Sequence, residues 1–276
     1  MESIFYVIQA IIYGIVQGIT EFLPISSSAH LMLLPKFLGW EEPGNLFDMA
    51  LHFGTAIAII AFFFKDWLRL FKAGFTDRKS ADGKLFWTLV AATIPPAIVG
   101  LVFNDAVKPL QENTLIVGIL LLCMGIVLYI ADTIGKKRIS LEEIGVSRGL
   151  IIGSSQVLAI IPGVSRAGIT MTSGRLLGMQ RESIARYSFL LSTPLLTADA
   201  LYSILKIHQN GIENLQISGG WITLFIGIAV SFIVGIFVIQ FLLNLLKTKG
   251  FLGFAVYRVI LGGTVIAFTM LNLWPN

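Results

Sequence analysis

The chain has 276 residues, of which 55% are hydrophobic and only 13% charged, with a mean hydropathy of +0.83. A soluble domain carries about 25% charged residues, so the composition excludes a soluble fold and makes lipid the solvent for much of the surface. The net charge of +4 is concentrated in a few loops, which points to membrane orientation and argues against a nucleic-acid partner.

Met1-Glu2-Ser3 places no basic segment before the first apolar stretch, so that stretch is expected in the mature protein rather than in a cleaved signal peptide. Apolar stretches follow at about 4–23, 30–39, 47–64, 85–103, 114–131, 149–161, 167–179, 186–205, 221–246 and 251–273. Crossing the hydrocarbon takes about 20 helical residues, and 30–39, 149–161 and 167–179 are too short. These short pieces adjoin Pro24-Ile25-Ser26-Ser27-Ser28 and Pro162-Gly163-Val164-Ser165-Arg166, clusters that break helices. The lone cysteine, Cys123, cannot form an intrachain disulfide and reads as a buried packing residue. The tryptophans Trp40, Trp67, Trp87, Trp221 and Trp274 fall near expected span ends, as an interfacial belt would place them.

The two halves resemble each other. An offset of 138 pairs Pro24 with Pro162, Ser27 with Ser165 and Thr55 with Thr193, and an offset of 135 pairs Ile98-Val99-Gly100 with Ile233-Val234-Gly235. The common order suggests a duplication of 1–135 as 145–276 within one membrane domain. Basic residues crowd the 65–84, 132–148 and 247–249 loops, whereas 104–113 carries only Lys108 and 206–220 only Lys206. By the positive-inside rule the first three are cytoplasmic. Equivalent segments then run in opposite directions, so the repeat is inverted. The expectation is an all-α polytopic protein with six transmembrane helices and two re-entrant helical hairpins, 4–39 and 149–179, whose tips meet near the membrane midplane.

The tips carry the unusual polar residues. Gln17 and Glu21 are four apart and share a helix face. An intramembrane carboxylate costs at least ~2.5 kcal/mol unless partnered or wet, which marks Glu21 as functional. Ser26, Ser27 and Ser28 can cap the helix that follows, and His30 is an acid, base or phosphate donor close by. In the second tip Gly163 and Gly168 allow close backbone approach, Ser165 can cap, and Arg166 brings a five-donor fork that needs an anion, either Glu21 or a phosphate. Two helix N-termini with Arg166 and several hydroxyls make an anion site open to water, where a lipid diphosphate can place its head while its tail stays in the bilayer. Glu21 with Gln17 offers oxygen ligands for a hard divalent cation. His52 and Asp199 also interrupt apolar spans and are expected to be mainly structural, Asp199 either facing a cavity or hydrogen-bonding another helix; His208 is expected in a solvated loop.

Gln17-Gly-Ile-Thr-Glu21-Phe-Leu-Pro-Ile-Ser-Ser, with His30 beyond it, resembles the first signature of the undecaprenyl-diphosphate phosphatase family, the bacitracin-resistance proteins. Pro162-Gly-Val-Ser-Arg166 resembles the second, with Ala167 where a serine is usual and Thr170 closing the motif. Gln17 takes the amide option at a position that is Glu or Gln. The resemblance covers essentially the whole chain. It implies hydrolysis of undecaprenyl diphosphate to undecaprenyl phosphate and inorganic phosphate, recycling of the peptidoglycan lipid carrier, bacitracin resistance, and dependence on a divalent cation, Mg²⁺ or Ca²⁺. Carried onto this chain, Glu21 binds metal (with Gln17) or positions water. Ser27 is the nucleophile or a close phosphate contact, and His30 the base or acid. Arg166 holds the phosphates, with Ser26, Ser28, Gly163, Ser165 and Thr170 around them. The bacterial inner membrane, with a site open to its outer face, is the expected location; a homodimer stays open. The rival reading is a secondary transporter or flippase for an anionic lipid or small anion, since inverted repeats with broken helices are transporter architecture.

Overall fold

Long apolar runs punctuated by Pro, Gly and Ser give helices and little else. A computed structural model describes residues 2–210 and 220–275. Its helices are α1 (Glu2–Thr20), α2 (Ser27–Leu38), α3 (Asn45–Phe62), α4 (Phe64–Thr76), α5 (Ala81–Gln111) and α6 (Thr114–Ile134). Then follow α7 (Gly145–Ser155), continued by a 3₁₀ turn (Gln156–Ile160), α8 (Arg166–Leu176), α9 (Arg181–Asn210), α10 (Gly220–Thr248) and α11 (Leu252–Met270). Among the described residues the only β pairing is one isolated bridge, Ile139 with Met179.

Four stretches are long and apolar enough to cross a membrane: Ala81–Phe103 of α5, and α6, α10 and α11. The α3–α4 pair, bent by 66°, passes the same test jointly. Helix α9 has 30 residues but is interrupted by Ser188, Ser192, Thr193, Thr197 and Asp199. The chain is an integral membrane protein.

Small residues bring the helices together. A Cβ on Gly14 or Gly18 of α1 would lie 2.8 Å from the Cβ of Val230 or Val234 of α10. In α7, Gly149 and Gly153 meet Thr88 and Ala92 of α5 just as closely. Both are small-xxx-small seams of the kind that drives helix association in lipid, where no hydrophobic force acts between helices. Helix α6 packs on α11, and α3 on α9.

Buried ion pairs tie one end of the bundle. Asp132, at the end of α6, accepts from Arg175 Nε (2.9 Å), from Arg181 Nε (2.8 Å) and Nη2 (2.7 Å), and from the Phe251 backbone N–H (3.2 Å). Arg175 also donates to the Met179 carbonyl and is fully buried. Arg186 Nη2 reaches both carboxylate oxygens of Asp66 at 2.9 Å.

Several expectations need correction. The 65–84 loop contains α4, whose Leu70 and Gly74 pack against α5 while Phe64, Leu68, Phe71 and Phe75 are more than half exposed. Interleaved Lys65, Arg69 and Lys72 lower its mean hydropathy and hide this periodicity from a span search. The 104–113 loop is helical through Gln111, despite Pro109, and α9 continues to Asn210. Cys123 is exposed on the outside of α6, not buried. Residues 211–219 and the side chains of Lys108, Lys206 and His208 lie outside the described residues.

Candidate active site

Both short hairpins break in the same way. After α1 the chain turns through Pro24 to Ser26, and after the 3₁₀ turn through Gly163 to Ser165. Ser26 (φ 78°, ψ 95°) and Ser165 (φ 73°, ψ 120°) have nearly the same left-handed conformation, which L-residues adopt at a cost of about 1–3 kcal/mol. The match pairs Ser165 with Ser26 rather than with Ser27. Gly163 has φ +94°, and a Cβ there would lie 2.9 Å from the Val117 carbonyl oxygen, so glycine is required.

The tips touch. The Gly163 N–H donates to Ser26 Oγ at 3.1 Å across 137 residues of sequence, so Ser26 bonds the other tip instead of capping its own helix. Ser165 does cap α8, accepting from Gly168 N–H at 3.0 Å. Arg258 of α11 fastens the junction. Fully buried, it donates to the carbonyl oxygens of Pro24 (3.0 Å), Gly163 (2.6 Å) and Val164 (3.1 Å), and more weakly to Leu121 (3.4 Å).

Beside the junction lies a cavity of about 280 Å³ lined by Glu21, Ser26, Ser27, Ser28, Met49, His52, Ala159, Ser165, Arg166 and Asp199. Pockets that enclose a whole ligand run to roughly 300–1,000 Å³, so this one suits a polar headgroup rather than a long chain. Ser27 Oγ donates to Glu21 Oε2 at 2.7 Å. The same carboxylate oxygen accepts from Gln17 Nε2 at 3.1 Å and lies 3.5 Å from His52 Nδ1. Gln17 Nε2 also lies 2.9 Å from His52 Nδ1 and 3.3 Å from Thr55 Oγ1. Gln17 and Thr55 are fully buried and Glu21 is 9% exposed, so this network is held rigidly at the cavity wall.

Sequence expectation and geometry differ for four residues, Ser27, His30, Thr170 and Arg166. Ser27 pairs with Glu21 and not with His30. His30 Nδ1 sits 2.7 Å from the Ser26 carbonyl, which can only accept, and Nε2 sits 2.6 Å from the Tyr257 hydroxyl, whose ring stacks on the imidazole. Thr170 is fully buried and turned toward α9, with its hydroxyl 2.6 Å from Ser188 Oγ. Arg166 pairs with Asp199 (Nη2–Oδ2, 3.4 Å) rather than with Glu21. His52, Asp199, Tyr257 and Arg258 were missed as site residues. Each is a polar side chain inside an apolar span, the default sign of function in a membrane.

The donor set bears on a divalent cation. Among the described residues no three His, Cys, Asp or Glu side chains form a ready cation cage. Gln17 Oε1, however, is buried and makes no hydrogen bond among the described residues, beside the single carboxylate of Glu21. Magnesium is commonly held by one or two carboxylates plus substrate phosphates. The residues therefore fit a cation shared with a phosphorylated substrate rather than one caged by protein alone.

Comparison with known proteins agrees with this picture. The family described as "Bacitracin resistance protein BacA" matches residues 10–264. An undecaprenyl-diphosphatase of Desulforudis audaxviator is 47% identical over 96% of this chain and 98% of its own. Those of Moorella thermoacetica (44%; 95% and 97%) and Caldicellulosiruptor bescii (42%; 96% and 98%) are similarly close. With a match over nearly its whole length and both signatures at one cavity, the chain belongs to the bacitracin resistance protein BacA family.

Proposed function

We propose that this membrane protein hydrolyses undecaprenyl diphosphate to undecaprenyl phosphate and inorganic phosphate, recycling the lipid carrier for peptidoglycan synthesis and conferring bacitracin resistance. The observation that carries the chemistry is the Ser27 hydroxyl 2.7 Å from the Glu21 carboxylate, in the cavity that Arg166 enters from the other tip. The family and the diphosphatase names of its relatives supply the substrate.

The geometry gives each residue a task. The diphosphate sits with its terminal phosphate against Ser27 and the Arg166 fork. Ser27 Oγ attacks the terminal phosphorus while its proton passes to Glu21. The bond from that phosphorus to the bridging oxygen breaks, and undecaprenyl phosphate leaves with the electron pair. Water then splits the phosphoserine, releasing inorganic phosphate and restoring the serine hydroxyl. Arg166, the N-terminus of α8 and the Ser26, Ser28 and Ser165 hydroxyls stabilise charge on the transferring group, the main resource in phosphoryl transfer. Gln17 fixes the Glu21 carboxylate, and His30, held between the Ser26 carbonyl and Tyr257, sets the position of the first tip. Glu21 and Gln17 would hold a Mg²⁺ or Ca²⁺ together with the substrate, and the ion would supply charge neutralisation.

The architecture we infer is six spans (α3, α5, α6, α9, α10 and α11) and two re-entrant hairpins, α1–α2 and α7–α8, related as inverted repeats 1–135 and 145–276. Four features support it: the matching serine conformations at the tips, the paired glycine seams of α1 on α10 and α7 on α5, and the self-pairings of α6 with α11 and α3 with α9. The basic loops then face the cytoplasm, and the site opens to the outer face of the inner membrane.

Phosphate release from undecaprenyl diphosphate by detergent-purified protein with Mg²⁺ or Ca²⁺ tests the function. Glu21→Gln, Ser27→Ala and Arg166→Ala are each expected to lower kcat/KM by about 10²-fold or more. Hydrolysis that survives all three changes refutes the site. Well-folded protein that moves lipid without hydrolysing it favours the transporter reading.

A further inference from the structure

Arg166 does not wait empty. It pairs with Asp199 of α9, and both line the cavity. The pair is looser than two other Arg–Asp pairs among the described residues. Arg181 holds Asp132 through two bonds of 2.8 and 2.7 Å, and Arg186 holds Asp66 through two contacts of 2.9 Å. Arg166 offers Asp199 one prong, at 3.4 Å. Its Nη1 is buried and makes no hydrogen bond among the described residues. The Asp199 side chain is 61% exposed, so it can give up this contact to water at little cost.

Resting on the diphosphate reading of the cavity, we propose that Asp199 is a displaceable counter-ion that sets the affinity of the site for phosphate groups. A phosphate offers the guanidinium two parallel charge-assisted bonds where Asp199 offers one long contact. The incoming diphosphate takes Arg166, and Asp199 turns to solvent. When inorganic phosphate is ready to leave, Asp199 competes for Arg166 again and repels the anion. The carboxylate thus weakens substrate and product alike. This is a uniform ground-state penalty: it raises KM and eases product release without touching the chemical step. Asp199 never meets the reacting atoms and acts through Arg166, as a positioning and specificity-determining residue.

The test uses the full-length protein in detergent at saturating Mg²⁺, with undecaprenyl diphosphate as substrate and inorganic phosphate as inhibitor. Asp199→Asn is expected to lower both KM and the inhibition constant for phosphate by about two- to fivefold, the range for a partly exposed ion pair, without raising kcat. Asp199→Glu, which keeps the charge, is expected to return both values toward wild type. An Asp199→Asn enzyme with wild-type KM and phosphate inhibition overturns the proposal. So does a raised KM accompanied by a raised Mg²⁺ requirement, which makes Asp199 a cation ligand instead. If wild-type protein releases no phosphate, or Arg166→Ala works at full rate, the diphosphate reading itself falls and takes this inference with it.

Discussion

Arg258 shows how much one side chain carries in this protein. A guanidinium with no exposure sits where both broken helices end, and its hydrogen-bond partners among the described residues are backbone carbonyls: Pro24, Gly163, Val164 and Leu121. The carbonyls of Pro24, Gly163 and Val164 lie in the breaks, outside any helix, and inside a bilayer no lipid can satisfy them. Replacing Arg258 with Met keeps most of the volume but orphans the acceptors, each at about 1–3 kcal/mol. Arg258→Met is therefore expected to lose about 3 kcal/mol or more of stability and to show a lower Tm in detergent. A wild-type Tm would mean that the tips hold together without it. Arg258 lies inside the apolar stretch 251–273, so its charge alone was the available signal. What the sequence could not say was that its partners would be main-chain oxygens of three distant segments. The same holds for His52 and Asp199: lone polar residues in spans announce themselves, but not which neighbour they face. Glu21, Ser27 and Arg166 were legible because they crowd around prolines and serines that interrupt apolar runs.

Among elements, the two hairpins differ in how well their sequences reveal them. The second is broken into short pieces that no reading could take for a span. Helix α1 has 19 residues, long enough to be read as a span, and only its proposed equivalence with α7 makes it re-entrant. Helix α4 escaped notice because its exposed phenylalanines alternate with lysine and arginine, so average hydropathy hides an amphipathic face. Close approach was legible for Gly163 and Gly168 but not for the helix seams: Gly18 and Gly153 have neighbours under 3 Å from a would-be Cβ, while Gly263 has none within 4 Å. Topology is tested at this scale. In a Cys123→Ala background, needed because that thiol is exposed, Glu41→Cys between α2 and α3 is expected to react with an impermeant thiol reagent from outside intact cells. Arg138→Cys between α6 and α7 is expected to react only after the membrane is opened. The reverse pattern would invert the orientation, and with it the side from which substrate arrives.

For the whole molecule, the contact between the two tips joins residues from both halves of the chain at one cavity. The starts of α2 and α8 meet there, and a single tip offers only half the ligands. Ser27 and Glu21 come from the first half, Arg166 and Ser165 from the second. The amphiphilic substrate suits this geometry, since its head needs water and dipoles while its tail needs lipid. The resemblance to a known family was legible from two short motifs, whereas the exchange of His30 for Glu21 as the partner of Ser27 depends on a hydrogen bond that spacing alone does not specify. The most direct measurement is an experimental structure with a non-hydrolysable polyprenyl methylene-diphosphonate bound. The account predicts one diphosphonate in contact with both Ser27 and Arg166; a headgroup bound elsewhere, or held by one tip with the other out of reach, would contradict it.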